Sequence, residues 1–145
     1  AFLFSLERTP FLINSSRGEV VDTAPLLAAL ACCKVRDAVI DTWEYEPFIS
    51  KELREVAYIA TPHIAGYSAD GKANATRMSL EALCRFFHID AEFEVLPPEL
   101  PSMSYSPDEK EAFLQRYNPL LDSERLKAAP DKFEWLRGNY PLRRE

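Results

Sequence analysis

The fold is decided by an apolar run that ends in a polar loop, Phe11-Leu12-Ile13-Asn14-Ser15-Ser16-Arg17-Gly18. Pro10 precedes the run and marks a turn. A short, continuous apolar run of this kind is typical of a parallel strand that is covered on both faces. The stretch therefore predicts a buried strand over residues 11–14, and Asn14 stands at its carboxyl end.

Helical and strand patterns alternate after this run. A first helix is expected from Thr23, whose hydroxyl can cap it, with Pro25 early in the helix and an apolar face of leucines. Two further strands are predicted at residues 38–40 and 58–60, and Ser50 is expected to cap a short helix between them. This alternation indicates right-handed βαβ units on a parallel sheet, whose ligands lie beyond the carboxyl ends of the strands.

The remainder of the chain is divided by its prolines. A long helix is predicted over residues 68–87, with apolar anchors at Met78, Leu80, Leu83, Phe86 and Phe87. Pro97, Pro98 and Pro101 then interrupt regular structure, and short amphipathic pieces follow at residues 107–117, behind a Ser106 cap, and at residues 131–137. We therefore expect one domain over residues 1–89 and a smaller one over residues 90–145.

Composition narrows the class of protein. With 145 residues, 47% of them hydrophobic, the chain has enough apolar material for a core, and a net charge of −6 disfavours a nucleic-acid partner. No apolar run is long enough to span a membrane, and no signal peptide is visible, so we expect a cytoplasmic protein without a membrane partner. Three cysteines without metal-ligand spacing are expected to be reduced, packed thiols, and no metal site is predicted.

Three polar clusters follow the three predicted strands. The first ends in Arg17 and Gly18, the second runs from Asp41 to Glu46 and Pro47, and the third surrounds His63. Each cluster alone is more typical of a solvated loop or of a structural residue. Together, at neighbouring strand ends, an arginine, a glutamate and a histidine suit the oxidation of an alcohol beside a carboxylate. Histidine takes the hydroxyl proton, the glutamate orients it, and the arginine binds the substrate carboxylate, while the hydride goes to a separate acceptor.

These motifs resemble those of the D-2-hydroxyacid dehydrogenases. The family has an Asn-x-x-Arg-Gly loop, an Asp-x-x-x-x-Glu-Pro loop and a Pro-His-x-x-Gly loop in this order, and all three occur here. The resemblance implies that the catalytic residues are Arg17, Glu46 and His63. It further implies NAD as the cofactor, contacted by Ser15, Ser16, Arg17, Asp41 and Gly66, and a phosphorylated 2-hydroxy acid as the substrate, contacted by Arg17 and Tyr67.

The same resemblance extends to the fold and to the tail. It implies the second half of a Rossmann-type parallel sheet domain followed by a small α+β dimerisation domain, and hence a homodimer. Residues 117–119 and 133–145, which include Arg137, Arg143 and Arg144, are similar to that dimerisation domain. We expect these arginines either to reach the substrate phosphate from a partner subunit or to form a solvated basic terminus.

Departures from the family pattern leave other functions open. The chain begins with Ala1, and no Gly-x-Gly-x-x-Gly loop for a pyrophosphate occurs in it. These features predict an incomplete part of the enzyme, inactive on its own. The alternatives are another D-2-hydroxyacid dehydrogenase, a non-catalytic module for NAD sensing or dimerisation, and a decayed or split gene product.

Overall fold

The structure, a computed structural model, describes residues 2–100 and 103–144. Its sheet has three parallel strands in the order β1 (Phe11–Asn14), β2 (Asp37–Ile40) and β3 (Ile59–Ala60). Leu12 lies opposite Ala38, and Ile40 lies opposite Ala60. The predicted strands and their parallel arrangement are confirmed, so all three strands have their carboxyl ends at the same edge of the sheet.

Six α-helices are present among the described residues. They are α1 (Thr23–Ala31), α2 (Lys51–Val56), α3 (Ala69–Phe87), α4 (Glu109–Arg116), α5 (Pro119–Ala128) and α6 (Phe133–Gly138). Short 3-10 segments cover Phe2–Ser5, Gly18–Val20 and Pro130–Lys132. The predicted break at Pro101 and the chain start at Ala1 lie outside the described residues.

Of the three predicted helix caps, Ser50 is confirmed, whereas Thr23 and Ser106 are wrong; Ser68, predicted only to begin the long helix, is also a cap. The hydroxyls of Ser50 and Ser68 accept a backbone N–H in the first turns of α2 and α3. Thr23 is itself the first residue of α1, because its own N–H is already bound by the Glu44 carboxylate. At α4 the cap is Asp108, whose carboxylate accepts two N–H groups, so the predicted cap Ser106 lies two residues too early.

The core lies between the sheet and four helices of the described chain. Leu26 from α1, Ile40 from β2 and Leu53 from α2 are buried together with Leu126 from α5 and Phe133 from α6. Helix α5 was not predicted from the sequence. It packs against β3, where the Ser123 hydroxyl accepts the Ala60 backbone N–H at 3.0 Å. A backbone donor at the edge of the sheet is thereby satisfied by a helix.

Burial of β1 on both faces is a wrong prediction. Phe11 and Ile13 are 55% and 70% exposed, whereas Asn14 at the end of the strand is buried. In a strand, alternate residues share one face, and in the described chain that face of β1 is not covered. The predicted apolar anchors of α3 are likewise at least half exposed in the described chain: Met78, Leu83, Phe86 and Phe87.

The described chain forms two compact units that differ from the predicted domains. One comprises residues 1–65 and 119–139, and the other residues 66–118 and 140–145. Residues 119–139 group with the sheet because α5 and α6 bury their apolar side chains in its core. A dimerisation domain over residues 90–145 stays a prediction.

Composition also led to expectations about the cysteines, membrane-spanning segments and metal sites. The three cysteines are free thiols, but Cys32 and Cys33 are exposed and therefore not packed in the core. Within residues 2–100 and 103–144, no helix combines the length and apolar character needed to cross a membrane. Over the same residues, no cluster of His, Cys, Asp and Glu has the arrangement of a metal site.

Candidate active site

A cleft of about 370 Å³ lies at the carboxyl ends of the strands. The residues that line it come from the loops after β1, β2 and β3: Arg17, Gly18, Glu19, Trp43, Glu44, Tyr45, Glu46 and His63. The three residues predicted to be catalytic are all among them. Parallel strands bring their carboxyl ends to one edge, which is why three loops far apart in sequence share this cleft.

His63 and Glu46 form the central contact of the cleft. The Nδ1 atom of His63 lies 2.7 Å from the Oε2 atom of Glu46, and both side chains are about four-fifths buried. The second oxygen of Glu46 accepts the backbone N–H of Trp43 at 2.8 Å. When the Nδ1 atom of His63 donates its proton to this hydrogen bond, the neutral imidazole has Nε2 as its unprotonated nitrogen. That nitrogen is the one available to take a proton from a ligand.

Asp41 shapes the loop that carries His63. Its Oδ1 atom accepts the Thr61 hydroxyl at 2.6 Å and the Ile64 N–H at 2.8 Å, and its Oδ2 atom accepts the Ala65 N–H at 2.9 Å. The Asp41 carbonyl accepts the N–H of His63 itself. His63 has a φ of 55°, a left-handed conformation that non-glycine residues adopt only where surrounding contacts hold it. These hydrogen bonds provide that support.

The arginine loop is organised by Asn14. The Asn14 amide donates to the Arg17 carbonyl at 3.0 Å and to the Thr42 carbonyl at 3.3 Å, which joins the loops after β1 and β2. Its Oδ1 atom accepts the backbone N–H and the hydroxyl of Ser16. Arg17 is exposed, and its guanidinium donates to the Ser16 carbonyl at 2.6 Å, so it stands at the rim of the cleft. Ser15 is exposed beside it.

Gly18 is required by close packing between two loops. A Cβ atom placed on Gly18 would lie 2.7 Å from the Glu44 backbone nitrogen and closer still to the Trp43 carbonyl. No side chain fits there without displacing backbone. The glycine of the Arg-Gly pair therefore lets the arginine loop rest directly on the glutamate loop.

Two buried residues of the site were not predicted. Asn14 was predicted to end a strand and to open the Asn-x-x-Arg-Gly motif but not to organise the site, and Trp43, within the loop from Asp41 to Pro47, had no predicted role. The Trp43 indole N–H donates to the Thr61 carbonyl at 2.9 Å in the interior. The available signal was a tryptophan among carboxylates directly after a strand, since an aromatic ring in that position requires burial and a hydrogen-bond partner.

Gly66 and Tyr67 belong to the other compact unit, and their predicted ligand roles stay predictions. Gly66 has a φ of 77°, which glycine adopts without strain. The Tyr67 ring carries the Lys72 ammonium at 4.5 Å from its centroid and meets the Tyr140 ring edge to face.

Arg143 and Arg144 of the basic tail also lie in that unit, whereas Arg137 belongs to the unit that contains the sheet. Arg144 forms two hydrogen bonds of 2.8 and 2.7 Å with the Asp70 carboxylate, a hydrogen-bonded pairing that raises the pKa of Arg144. The Arg143 guanidinium stacks 4.2 Å from the Tyr117 ring centroid. Both arginines are therefore engaged within the chain, which disfavours the expectation of a merely solvated terminus.

Comparison with known proteins gives consistent matches. Residues 2–65 match the family described as D-isomer specific 2-hydroxyacid dehydrogenase, NAD binding domain. The chain is 58% identical over 145 residues to an erythronate-4-phosphate dehydrogenase of Bacteroides thetaiotaomicron. Proteins of the same name from Porphyromonas gingivalis and Marinobacter nauticus are 44% and 39% identical over 156 and 161 residues. These alignments cover 99–100% of this chain but only 42% of each relative, so the chain spans less than half their length.

Proposed function

We propose that this chain, a relative of the D-isomer specific 2-hydroxyacid dehydrogenases through its NAD-binding domain, supplies the catalytic residues of an NAD-dependent dehydrogenase of 4-phospho-D-erythronate. The product is (R)-3-hydroxy-2-oxo-4-phosphooxybutanoate, and family resemblance assigns the step to pyridoxal 5′-phosphate synthesis. The observation that carries the proposal is the 2.7 Å contact between His63 and Glu46 in a cleft that Arg17 also lines.

The described residues are compatible with NAD at the carboxyl edge of the sheet. Ser15 and Ser16 are exposed there, and the Oδ2 atom of Asp41 accepts one hydrogen bond within the chain, which leaves a lone pair for a carboxamide N–H. A glycine-rich pyrophosphate loop is absent from the 145 residues, so these side chains would contact only part of the cofactor. When bound, NAD supplies the acceptor for the hydride that leaves carbon 2 of the substrate.

His63 and Glu46 handle the proton of the reaction. The Nε2 atom of His63 takes the proton of the 2-hydroxyl group as the carbon–hydrogen bond breaks and the carbonyl forms. The imidazolium that results keeps its proton on Nδ1 and donates it in a hydrogen bond to the Glu46 carboxylate, whose negative charge offsets the new positive charge. One hydroxyl proton and one hydride leave the substrate, and the 2-oxo acid remains.

Arg17 is the residue that holds the substrate acid group. Its guanidinium is planar and permanently charged, and it pairs with carboxylates through two parallel hydrogen bonds. From the rim of the cleft, it binds the carboxylate and stabilises the negative charge that develops on the neighbouring oxygen.

The test uses a complete enzyme, made by joining this chain to the part of the Bacteroides thetaiotaomicron relative that it does not cover. We expect NADH to form with 4-phospho-D-erythronate, and Glu46→Gln to lower kcat on the order of 10²-fold. Glu55→Gln, the same substitution on the exposed surface of α2, serves as the control and leaves kcat unchanged. NADH formation with D-erythronate in preference to its phosphate ester would identify a different 2-hydroxyacid substrate, and equal rates for both variants would refute the role of Glu46.

We further propose that the enzyme is a homodimer whose dimerisation domain includes residues 90–145. Resemblance of residues 117–119 and 133–145 to the C-terminal dimerisation domain of erythronate-4-phosphate dehydrogenases supports it. Sedimentation equilibrium of the joined enzyme measures its mass, and a monomer at micromolar concentration would contradict the proposal.

A further inference from the structure

We infer that Trp43 is a positioning residue that fixes His63 and Glu46 relative to each other, an inference that rests on the proposed function. Trp43 touches substrate in no step described above. It acts through the two residues of the proton-transfer pair, and three separate contacts carry the inference.

The first contact joins the tryptophan side chain to the histidine loop. Trp43 is only 4% exposed, and its indole N–H donates to the Thr61 carbonyl at 2.9 Å. Thr61 stands two residues before His63, and its own hydroxyl is bound by Asp41. In a buried environment, a polar group without a partner is costly, so this hydrogen bond fixes the separation between the loops after β2 and β3.

The second contact joins the tryptophan backbone to the glutamate. The Trp43 N–H donates at 2.8 Å to one oxygen of Glu46, and the other oxygen of Glu46 holds His63 at 2.7 Å. The contacts close a ring that runs from Trp43 to Thr61, along the chain to His63, across to Glu46 and back to Trp43. Each member of the proton-transfer pair is thus tied to the same residue.

The third contact brings in the arginine loop. The Trp43 carbonyl lies against Gly18, so closely that no Cβ atom could be accommodated. Arg17 precedes that glycine, and its position at the rim of the cleft depends on how the loop rests on Trp43. One residue therefore contacts all three loops that supply the cleft.

The chemistry of tryptophan explains why this residue type suits the position. An indole provides a large apolar surface for burial together with one N–H donor, whereas phenylalanine provides the surface without the donor. Trp43→Phe therefore removes the hydrogen bond to Thr61 and keeps most of the packing. The chain contains only one other tryptophan, Trp135, which is 62% exposed, and Trp135→Phe is the matched control.

The experiment observes the imidazole ring of His63 directly, by NMR of the chain labelled with nitrogen-15. In the unaltered chain we expect the Nδ1-bound proton of His63 to be visible by NMR at neutral pH, with the neutral ring in the Nδ1–H tautomer. Trp43→Phe is expected to lose that proton signal through exchange with water and to populate both tautomers, while Trp135→Phe leaves both properties unchanged. A role in stability alone would lower the free energy of unfolding and leave the tautomer unchanged.

Kinetics of the joined enzyme give the second measurement. We expect Trp43→Phe to lower kcat by about 10- to 100-fold with little change in the KM for NAD, since a displacement of about 1 Å at a reacting group can cost on the order of 10²-fold. If Trp43→Phe fails to fold, benzothienylalanine at position 43 in the Trp135→Phe background removes the N–H group and retains the ring shape. An unaltered His63 tautomer together with unaltered kcat would overturn the inference. The tautomer is measured without turnover, so a failure of the proposed function is distinguishable from a failure of this inference.

Discussion

Gly18→Ala tests whether the arginine and glutamate loops depend on direct backbone packing. The added methyl group would lie 2.7 Å from the Glu44 nitrogen and nearer still to the Trp43 carbonyl, whereas Cβ contacts below 3.0 Å essentially do not occur. All of the atoms that it meets belong to backbone, so the clash is relieved only by moving one loop away from the other. Overpacking of this kind costs about 1–3 kcal/mol.

We expect urea unfolding of Gly18→Ala to give a free energy of unfolding lower by that amount, with an unchanged m-value. Gly138→Ala is the control, because no atom lies within 4 Å of a Cβ at Gly138, the last residue of α6. In the joined enzyme, the displaced Arg17 loop should also lower kcat/KM for the phosphorylated substrate. A Gly18→Ala chain as stable as the Gly138→Ala chain would refute the reasoning.

Three further predictions concern single hydrogen bonds. Ser123→Ala leaves the buried Ala60 N–H without its acceptor, so urea unfolding should show a free energy of unfolding lower by about 1–3 kcal/mol. An unchanged free energy of unfolding would contradict this prediction and would mean that water replaces the hydroxyl. In Asp41→Asn, an NH2 group replaces one oxygen that accepts from N–H and O–H donors, so the same assay should give a free energy of unfolding lower by about 1.5–3 kcal/mol. An unchanged urea midpoint would contradict this prediction. Hydrogen bonds from the Thr23 hydroxyl and N–H lower the pKa of Glu44 below its usual 4.5. The ionised carboxylate therefore stabilises the folded chain fully above pH 4.5, and this stabilisation is lost as the pH falls through the lowered pKa. Unfolding of Glu44→Gln against the unaltered chain should therefore differ at pH 7 and converge in acid, and a difference that grows in acid would contradict this sign.

The sheet and its ligand-binding edge could be predicted because the signals are local. Apolar runs at residues 11–14 and 38–40 predict strands by composition alone, and alternation with helices predicts their parallel direction. Ser50 could be predicted as a cap because its hydrogen bond to the Leu53 N–H spans only three residues. Convergence of Arg17 with the residues of the other two loops then follows from topology.

Long-range contacts account for what was missed. Helix α5 has a weak apolar stripe, and its place on β3 depends on Ser123, a contact across 63 residues that no local pattern contains. Thr23 looked like a cap because threonine often is one, but its N–H is bound by Glu44 from a distant loop. The exposure of Phe11 and Ile13 could not be predicted either, because an apolar run indicates a strand but not which elements of the described chain pack on each of its faces.

The central claim is that His63 is the acid–base residue of a 2-hydroxyacid dehydrogenase, and the two histidines of the chain allow a matched test. His63 and His88 have φ angles of 55° and 54°, a left-handed conformation that asparagine tolerates, so His63→Asn and His88→Asn carry the same backbone effect. The measurement is NADH formation by the joined enzyme with 4-phospho-D-erythronate. We predict that kcat falls by about 10²- to 10⁴-fold in His63→Asn and is unchanged in His88→Asn. Full turnover by His63→Asn would contradict the account.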